Sequence, residues 1–318
     1  MPSFACRICQ SDISAAPIQA KELSIGLGGA FQYFECNNCG CLQIREKPGL
    51  MDRYYDFNFP APLPSTRLSR LQDKIRQWRN EYLLLGHALP FGLPSDLLAG
   101  IKGSPRPAIF ELLRGRVSTK SRVLDVGCGS GGMLRTMQRM GFADLSGLEP
   151  FGKEMSEPGL RIMTKTLLEF DDIGQPSTPS SKFDLIMFNQ SLEHIFEQKE
   201  TLAKAVRLLK SGGLISIAIP LKSAAVWSRY GVFWANMDPP RHFFLHTSKS
   251  LQMLASEAGL QLVARRDIAD GWWYILSEQY QKGLTNAQAA PQKVYWDSNA
   301  SKADPHCREL RQFAKELN

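Results

Sequence analysis

No apolar run in these 318 residues approaches the roughly 18–20 positions that a membrane-crossing helix needs. The most apolar stretch, Leu214 to Ile219, is short enough to read as one buried strand. The N-terminus lacks a basic segment followed by an apolar one, so no secretory leader is expected and the cytoplasm is the expected location. Internal repeats and low-complexity tracts are also missing, which excludes solenoids and long disordered linkers as the main architecture. Basic residues outnumber acidic ones by 38 to 31, for a net charge of +7, yet they form no block or tail. Their scatter reads as a mildly basic solvated surface rather than a nucleic-acid arm.

What is present begins with cysteine. Four of the seven fall in two pairs, Cys6-x-x-Cys9 and Cys36-x-x-Cys39. Two such knuckles a few tens of residues apart are the pattern of a four-thiolate zinc site, each turn supplying two sulfurs to a tetrahedron. Gly40 follows the second knuckle as a tight turn requires. With all four positions filled by protein, the zinc is expected to be structural. Of the remaining thiols, Cys41 is a spare beside the site and Cys307 lies in the tail.

Leu68, Leu71, Ile75, Trp78, Tyr82 and Leu85 alternate at spacings of three and four, an apolar stripe along a helix. Residues 86–107, rich in Gly and Pro, read as a linker, and Pro107 suits the first turn of a short helix through Ile109, Leu112 and Leu113. From residue 121 strands and helices alternate, which argues for a mostly parallel sheet. Strands are expected at 123–126, 145–148, 160–163, 183–188 and 214–219, with 260–266 and 272–279 closing the sheet as a hairpin-like pair. The helix before 214–219 is expected to end at the Lys210-Ser211-Gly212-Gly213 stop, and Ser248–Ala258 forms another, closed by Gly259. A tail helix presents Leu310, Phe313 and Leu317 on one face. The expected organisation is a zinc-ribbon module at 1–45, a helical linker region at 46–107, an α/β domain at 108–285 and a helical tail at 286–318.

The first of these strands runs into Val123-Leu124-Asp125-Val126-Gly127-Cys128-Gly129-Ser130-Gly131-Gly132. An apolar strand, an acid, a glycine turn and a helix start together suit a nucleotide-like cofactor. G-x-G-x-x-G alone is a weak signal. Asp125, two residues before the first glycine, moves the run away from dinucleotide binding. The run resembles motif I of class I S-adenosylmethionine methyltransferases, whose fold is a Rossmann-like, seven-stranded, mostly parallel α/β sheet. The resemblance implies that Asp125, Gly127 and Gly129 hold the methionine end of the cofactor and that Glu149, ending the second strand 22 residues after Gly127, takes the ribose hydroxyls. It also places Thr166 and Leu167 near the adenine and Asn189 and Gln190 near the sulfonium. Cys128 and Pro150 complete the expected lining, Cys128 as an apolar filler rather than a nucleophile.

Residues 183–194, Phe-Asp-Leu-Ile-Met-Phe-Asn-Gln-Ser-Leu-Glu-His, resemble the Leu-Glu-His pattern of small-molecule methyltransferases. They lack the N-P-P-Y type sequence of amine-methylating DNA enzymes. Some quinone-precursor O-methyltransferases bind a divalent metal through Glu-x-x-Glu-His at this point. Here Gln190 replaces the first acid, which argues against such a metal. Glu193 and His194 read equally as catalytic or as a structural pair. The long segment from Pro220 to Thr247 carries Trp227, Tyr230, Phe233, Trp234 and the run Asp238-Pro239-Pro240-Arg241-His242-Phe243-Phe244. Long loops are commonly functional, and aromatics beside Arg and His suit a sugar ring or a phosphate-bearing acceptor. This element and the four-cysteine module resemble methyltransferases of deoxysugar and surface-polysaccharide biosynthesis, although sugar C-methyltransferases of that kind carry a further C-terminal domain. The expected chemistry is methyl transfer to a small molecule, a sugar or nucleotide-sugar, with His242 as base, Arg241 orienting the acceptor, and His194 as the second candidate base. His246 is expected to cap or pack. Two other readings stay open: an RNA methyltransferase whose zinc module recognises RNA, and a non-catalytic scaffold. The oligomeric state is left open.

Overall fold

A computed structural model describes residues 4–13, 15–55, 109–171, 182–268, 271–289 and 304–316. The helical stripe at 68–85, the linker at 86–107 and Leu317 lie outside the described residues. The chain divides into two compact units, Met1–Asp56 with Glu193–Lys199 and Pro220–Asn318, and Phe57–Leu192 with Glu200–Ile219. Among the described residues, no helix is long and apolar enough to cross a membrane.

The first unit opens with a two-stranded antiparallel ribbon of β1 (Phe4–Ala5) and β2 (Asp12–Ile13). Next come β3 (Ile18–Lys21), β4 (Ala30–Glu35) and β5 (Leu42–Ile44), paired antiparallel in chain order. Each CxxC turn sits just before a strand or just after one. The residue behind each turn is left-handed, Gln10 at φ 61° and Gly40 at φ 71°. The two turns also close alike, Gln10 N–H on Cys6 O at 2.9 Å and Gly40 N–H on Cys36 O at 2.8 Å.

The second unit contains α1 (Ile109–Leu112) and a six-stranded sheet. Its members are β6 (Arg122–Val126), then α2 (Gly132–Arg139), β7 (Asp144–Leu148), β8 (Met155–Glu157), β9 (Leu160–Met163) and β10 (Phe183–Asn189); after α3 (Gln198–Leu208) comes β11 (Leu209–Ala218). The order is β11-β10-β6-β7-β9-β8, all parallel except β8 against β9. Strand order reverses beside β6, where open α/β sheets bind ligands at the carboxyl ends of the strands. Val123, Leu134, Met137, Leu145, Leu160 and Leu185 form the heart of the core. Burial on both faces explains why β6 and β10 read as continuous apolar runs.

Three expectations for this sheet need correction. Six strands are present among the described residues rather than seven. Residues 260–268 have no strand, and Gly271–Gln281 is a helix, α6 below, where a strand was expected. Aromatics favour strands, but Trp272, Ile275, Leu276 and Tyr280 recur at helical spacing and are all buried. Leu214 to Ile219 is half-buried rather than fully buried, because β11 stands at the end of the strand order. Finally, α3 ends at Leu208, ahead of the expected glycine stop. Gly212, at φ 74°, sits instead in an irregularity where the β10–β11 register shifts between Phe183 and Leu185.

The rest of the first unit contains α4 (Ala224–Tyr230), β12 (Phe244–Leu245), α5 (Ser248–Glu257), α6 (Gly271–Gln281) and α7 (Pro305–Glu316). Strand β12 pairs antiparallel with β5, so the end of the 220–247 segment is a fourth strand on the N-terminal module's sheet. Thr247 caps α5, accepting from Ser250 N–H at 3.1 Å, and its hydroxyl donates to Cys39 O at 2.7 Å. The tail helix docks on α6, with Phe313 edge-on to Tyr274 at 5.0 Å.

Candidate active site

The second unit builds its candidate site at the end of β6. Gly127, at φ 75°, turns the chain, and a Cβ there would stand 2.4 Å from Ser191 Cβ. At Gly131 (φ 78°) a Cβ would stand 2.5 Å from Ile162 Cδ1. Gly127 and Gly131 are therefore the closely packed glycines of the run, whereas Gly132 faces open space. The Ser191 hydroxyl donates to Val126 O and braces the turn. No motif signals this serine; only the fold brings it beside Gly127.

Asp125 is 1% exposed, and its Oδ1 has no hydrogen-bond partner. Burial, then the neighbouring Glu149 charge, pushes its pKa up to about 7. Glu149 accepts from Gly129 N–H at 2.9 Å and Phe151 N–H at 3.2 Å. An orphaned buried carboxylate beside a second acid, at a turn only glycine can make, fits the ammonium, sulfonium and diol of S-adenosylmethionine. Asp125 would take the ammonium and Glu149 the ribose hydroxyls.

Cys128 turns its sulfur onto Gly147, where a Cβ would come within 2.5 Å of it. Burial, with Asp125 and Glu149 nearby, pushes its thiol well up, against any nucleophilic role. Pro150 is exposed. Thr166 is exposed too, with its N–H and hydroxyl both spent on Glu169 Oε2 at 2.9 Å, while Leu167 is buried. Asn189 is half-buried at the end of β10. Gln190 is exposed and held left-handed at φ 55°, its N–H bonded to Ala218 O at 2.7 Å. Backbone strain of this kind collects at functional sites.

The first unit gathers a second polar group, from Glu193 and His194 on the 3-10 turn Leu192–His194 and from the 238–242 turn. Asp238, at φ 39°, starts that turn, and its carbonyl accepts from Arg241 N–H at 2.9 Å and His242 N–H at 3.2 Å. Aspartate tolerates this conformation better than most residues. The N-terminal module holds the turn from below: Tyr33 on β4 donates to His242 O at 2.8 Å, and Ile44 N–H to Phe243 O at 2.9 Å. The backbone of Glu193 is fixed as well, accepting from Phe243 N–H at 2.8 Å.

Backbone partners set the imidazole tautomers. His242 Nδ1 lies 2.7 Å from Asn236 O, and His194 Nδ1 lies 3.0 Å from Arg241 O. A carbonyl only accepts, so each Nδ1 carries the proton and each Nε2 a lone pair. The rings meet edge-on with centroids 4.6 Å apart. Tyr55 OH is also 3.0 Å from His194 Nδ1. Burial keeps both rings neutral, holding His242 below its ordinary value and His194 down to about 3. Glu193 is 1% exposed, neither carboxylate oxygen has a partner, and burial pushes its pKa up to about 8. Asp238 is different. Burial opposes its charge, but His242 and Arg241 beside it hold its pKa below the usual value.

Arg241 is committed to Asp238 at 2.7 Å and to Ser24 Oγ at 3.1 Å. The aromatics of the segment are also largely used in packing, with Tyr230 and Trp234 buried and Trp227 under Lys222. His246 is fully buried between Ser250 Oγ at 3.0 Å and Gln198 Oε1 at 2.9 Å, a packing role as expected. Asp238, Asn236 and Tyr55 are the members that reading the sequence left unassigned. Only the Asp238-to-His242 spacing hinted at one of them.

The four knuckle sulfurs lie within 4.8 Å of one another, with Cys6–Cys39 at 3.7 Å and Cys9–Cys36 at 3.5 Å. These separations are too long for disulfides and close to the edge of about 3.8 Å expected for a tetrahedral zinc–thiolate site. Gln43 Nε2 donates to Cys6 Sγ at 3.1 Å, as suits a thiolate. The donor set fits zinc.

Known proteins resemble part of this chain. A ubiquinone biosynthesis O-methyltransferase from Caulobacter sp. (strain K31) is 26% identical over 150 residues, covering 43% of this chain and 58% of that protein. One from Rhodopseudomonas palustris (strain BisA53) is 22% identical over 167 residues, covering 48% and 64%. The chain thus spans less than two thirds of the length of these curated relatives. Among solved structures, the YcgJ protein from Bacillus subtilis aligns with a TM-score of 0.38 at 16% identity, over 60% of this chain and 81% of that one. Cyclopropane synthase MmaA2 from Mycobacterium tuberculosis aligns at 0.37 and 17%, over 62% and 73%. Residues 101–265, just over half of the chain, match the family described as a methyltransferase domain, and the chain belongs to that family.

Proposed function

We propose that this protein transfers a methyl group from S-adenosylmethionine to a hydroxyl of a small-molecule acceptor. The observation that carries the reading is the orphaned, buried Asp125 carboxylate at the glycine turn, which fits a cationic cofactor. When bound, the cofactor supplies a methyl group already activated on sulfur. The protein's part is then positioning and removal of the hydroxyl proton. Glu193, three positions after Gln190 along the chain, begins the cluster to which we assign that second task. His242 offers Nε2 as the proton acceptor, and Asp238 Oδ2 lies 3.6 Å from that same nitrogen, placed to stabilise the imidazolium that forms. His194 is the alternate base, and Arg241 orients Asp238 rather than the acceptor.

The acceptor class is the finer part of the proposal. The aromatic composition of 220–247 favours a sugar or nucleotide-sugar, while the packing of Tyr230 and Trp234 leaves less of it for a ring to stack on. The names of the curated relatives favour a hydroxyl on a quinone precursor. Zinc in the four-cysteine module, boundaries near residues 45 and 108, and a cytoplasmic location belong to the same proposal. Transfer from radiolabelled S-adenosylmethionine into a cell extract, split into small-metabolite and RNA fractions, tests it. Label in small molecules, lost in His242→Gln with cofactor binding intact, is expected. Label in RNA would overturn the reading in favour of an RNA enzyme.

A further inference from the structure

The polar cluster of the first unit brings together three groups that do not bond one another. One oxygen of Glu193 and one nitrogen each of His194 and His242 lie within 4.8 Å of one another. Both Nδ1 protons go to backbone carbonyls, so each ring's lone pair is at Nε2. Glu193 is 1% exposed, and neither of its oxygens has a partner among the described residues. A buried polar group left in that state is destabilising until a ligand satisfies it. Burial pushes the Glu193 pKa up to about 8, so near neutral pH the side chain is a carboxylic acid with an O–H to donate. With His242 Nε2 assigned to the reacting hydroxyl, one donor and one acceptor are left over: Glu193 O–H and His194 Nε2. An oxygen about 2.8 Å from each of two groups spans a gap of this size at an angle that suits a hydroxyl.

We propose that Glu193 and His194 clamp a second hydroxyl beside the one that is methylated, so that the acceptor is a vicinal diol with both oxygens on one side of a ring. In the methyl-transfer reading, on which this clamp rests, the first hydroxyl gives its proton to His242 Nε2 as its oxygen takes the methyl group, and the S–C electron pair stays with sulfur. The second hydroxyl accepts from Glu193 O–H and donates to His194 Nε2. The pair is satisfied by an oxygen that both donates and accepts. A carbonyl, an ether or a methoxy group has no proton for His194, and an ammonium has no lone pair for Glu193. A site built to hold a hydroxyl discriminates strongly against an analogue that lacks it, because its own buried groups are then left unpaired. The same rule limits the product to one methyl group. Turned round in the site, a methylated diol would present its methoxy oxygen to His194, which needs a donor. Both clamp residues are held by backbone: Glu193 O accepts from Phe243 N–H at 2.8 Å, and His194 Nδ1 is fixed on Arg241 O at 3.0 Å. Sugar rings and catechols both present such a diol.

The small-metabolite fraction of a cell extract is split on a boronate column, which retains cis-diols and catechols. The full chain is then given radiolabelled S-adenosylmethionine with each part. Label is expected in the retained part alone, in a product with one added methyl group, and the product's ultraviolet absorbance tells a catechol from a sugar. Label in the unretained part, or a doubly methylated product, overturns the clamp and leaves the methyl-transfer reading intact. Label in neither part overturns both. Glu193→Gln keeps an N–H donor in the same place, whereas Glu193→Leu keeps none. The Leu variant should need about tenfold more of the retained part for its half-maximal rate, with cofactor binding intact, and the Gln variant should recover most of that loss. An equal loss in both variants, or a loss in neither, overturns the clamp. The boronate split uses the wild-type chain and stands whether or not Glu193→Leu folds.

Discussion

At the scale of single residues, the cofactor turn shows how far local chemistry reaches. Asp125 and the glycines could be read directly because each is demanded by its immediate neighbours: a left-handed turn, a close approach, a charge at a strand end. Gly127→Ala is expected to cost about 1–3 kcal/mol in stability and to abolish S-adenosylmethionine binding, since the position is left-handed and a Cβ would strike Ser191. Thermal unfolding and calorimetric titration check the two parts separately. Asp125 carries a second prediction. Its pKa stands at about 7 in the free protein, and a cationic ligand prefers the ionised form. Affinity for S-adenosylmethionine should therefore rise with pH until about 7 and then level off, a dependence that Asp125→Asn removes. Asp238, by contrast, was visible only as part of a proline-rich run. Its role comes from a left-handed turn and a bond to Arg241 that no spacing rule announces.

Among the elements, the N-terminal module matters for what it holds. Its sheet gains β12 from the 220–247 segment, Tyr33 grips the His242 carbonyl, and Thr247 ties the cap of α5 to Cys39. Zinc would thus support the polar cluster without touching it. Stripping metal with a strong chelator, or Cys9→Ser, is expected to unfold the module and to erase protection of the β5–β12 amides in hydrogen exchange; a module that stays protected would refute a structural zinc. Thr247→Ala should cost about 1 kcal/mol through the lost cap, measured by denaturant unfolding. The elements that were misread share one cause. In 271–281 aromatic content argued for a strand while apolar spacing argued for a helix, and packing of Tyr274 on Phe313 goes with the helix. The glycines at 212 and 213 punctuate the chain as expected, but pairing with β10 turns them into a register shift instead of a helix stop.

For the molecule as a whole, pH acts through buried groups of opposite sign, the acids Asp125 and Glu193 against the imidazoles His194 and His246. Asp125 keeps its proton to about 7 when folded against 3.8 as its ordinary value, so the folded form holds more protons in that window and stability falls as pH rises through it. His246 is held down to about 3 from 6.5 by burial, so the unfolded chain takes the proton first and stability falls as pH drops from 6.5 toward 3. Denaturant unfolding across pH should show the alkaline-side loss reduced in Asp125→Asn, Asp125's share of the slope being at most about 1.4 kcal/mol per pH unit and the remainder coming from Glu193, pushed up to about 8. The sequence by itself determined the knuckles, the glycine turn with its two acids, the helix after β6, and the strands β6, β7, β9 and β10. Each of these is set by residues within about one turn or one strand of one another. Only the tertiary structure decided which histidines meet, which carboxylate is left without a partner, that Arg241 serves Asp238, and how many strands the sheet gathers. Those outcomes depend on contacts between positions more than two hundred residues apart, as between Tyr33 and His242. The choice among competing local preferences is made there by burial and hydrogen-bond partners, neither of which any local pattern encodes.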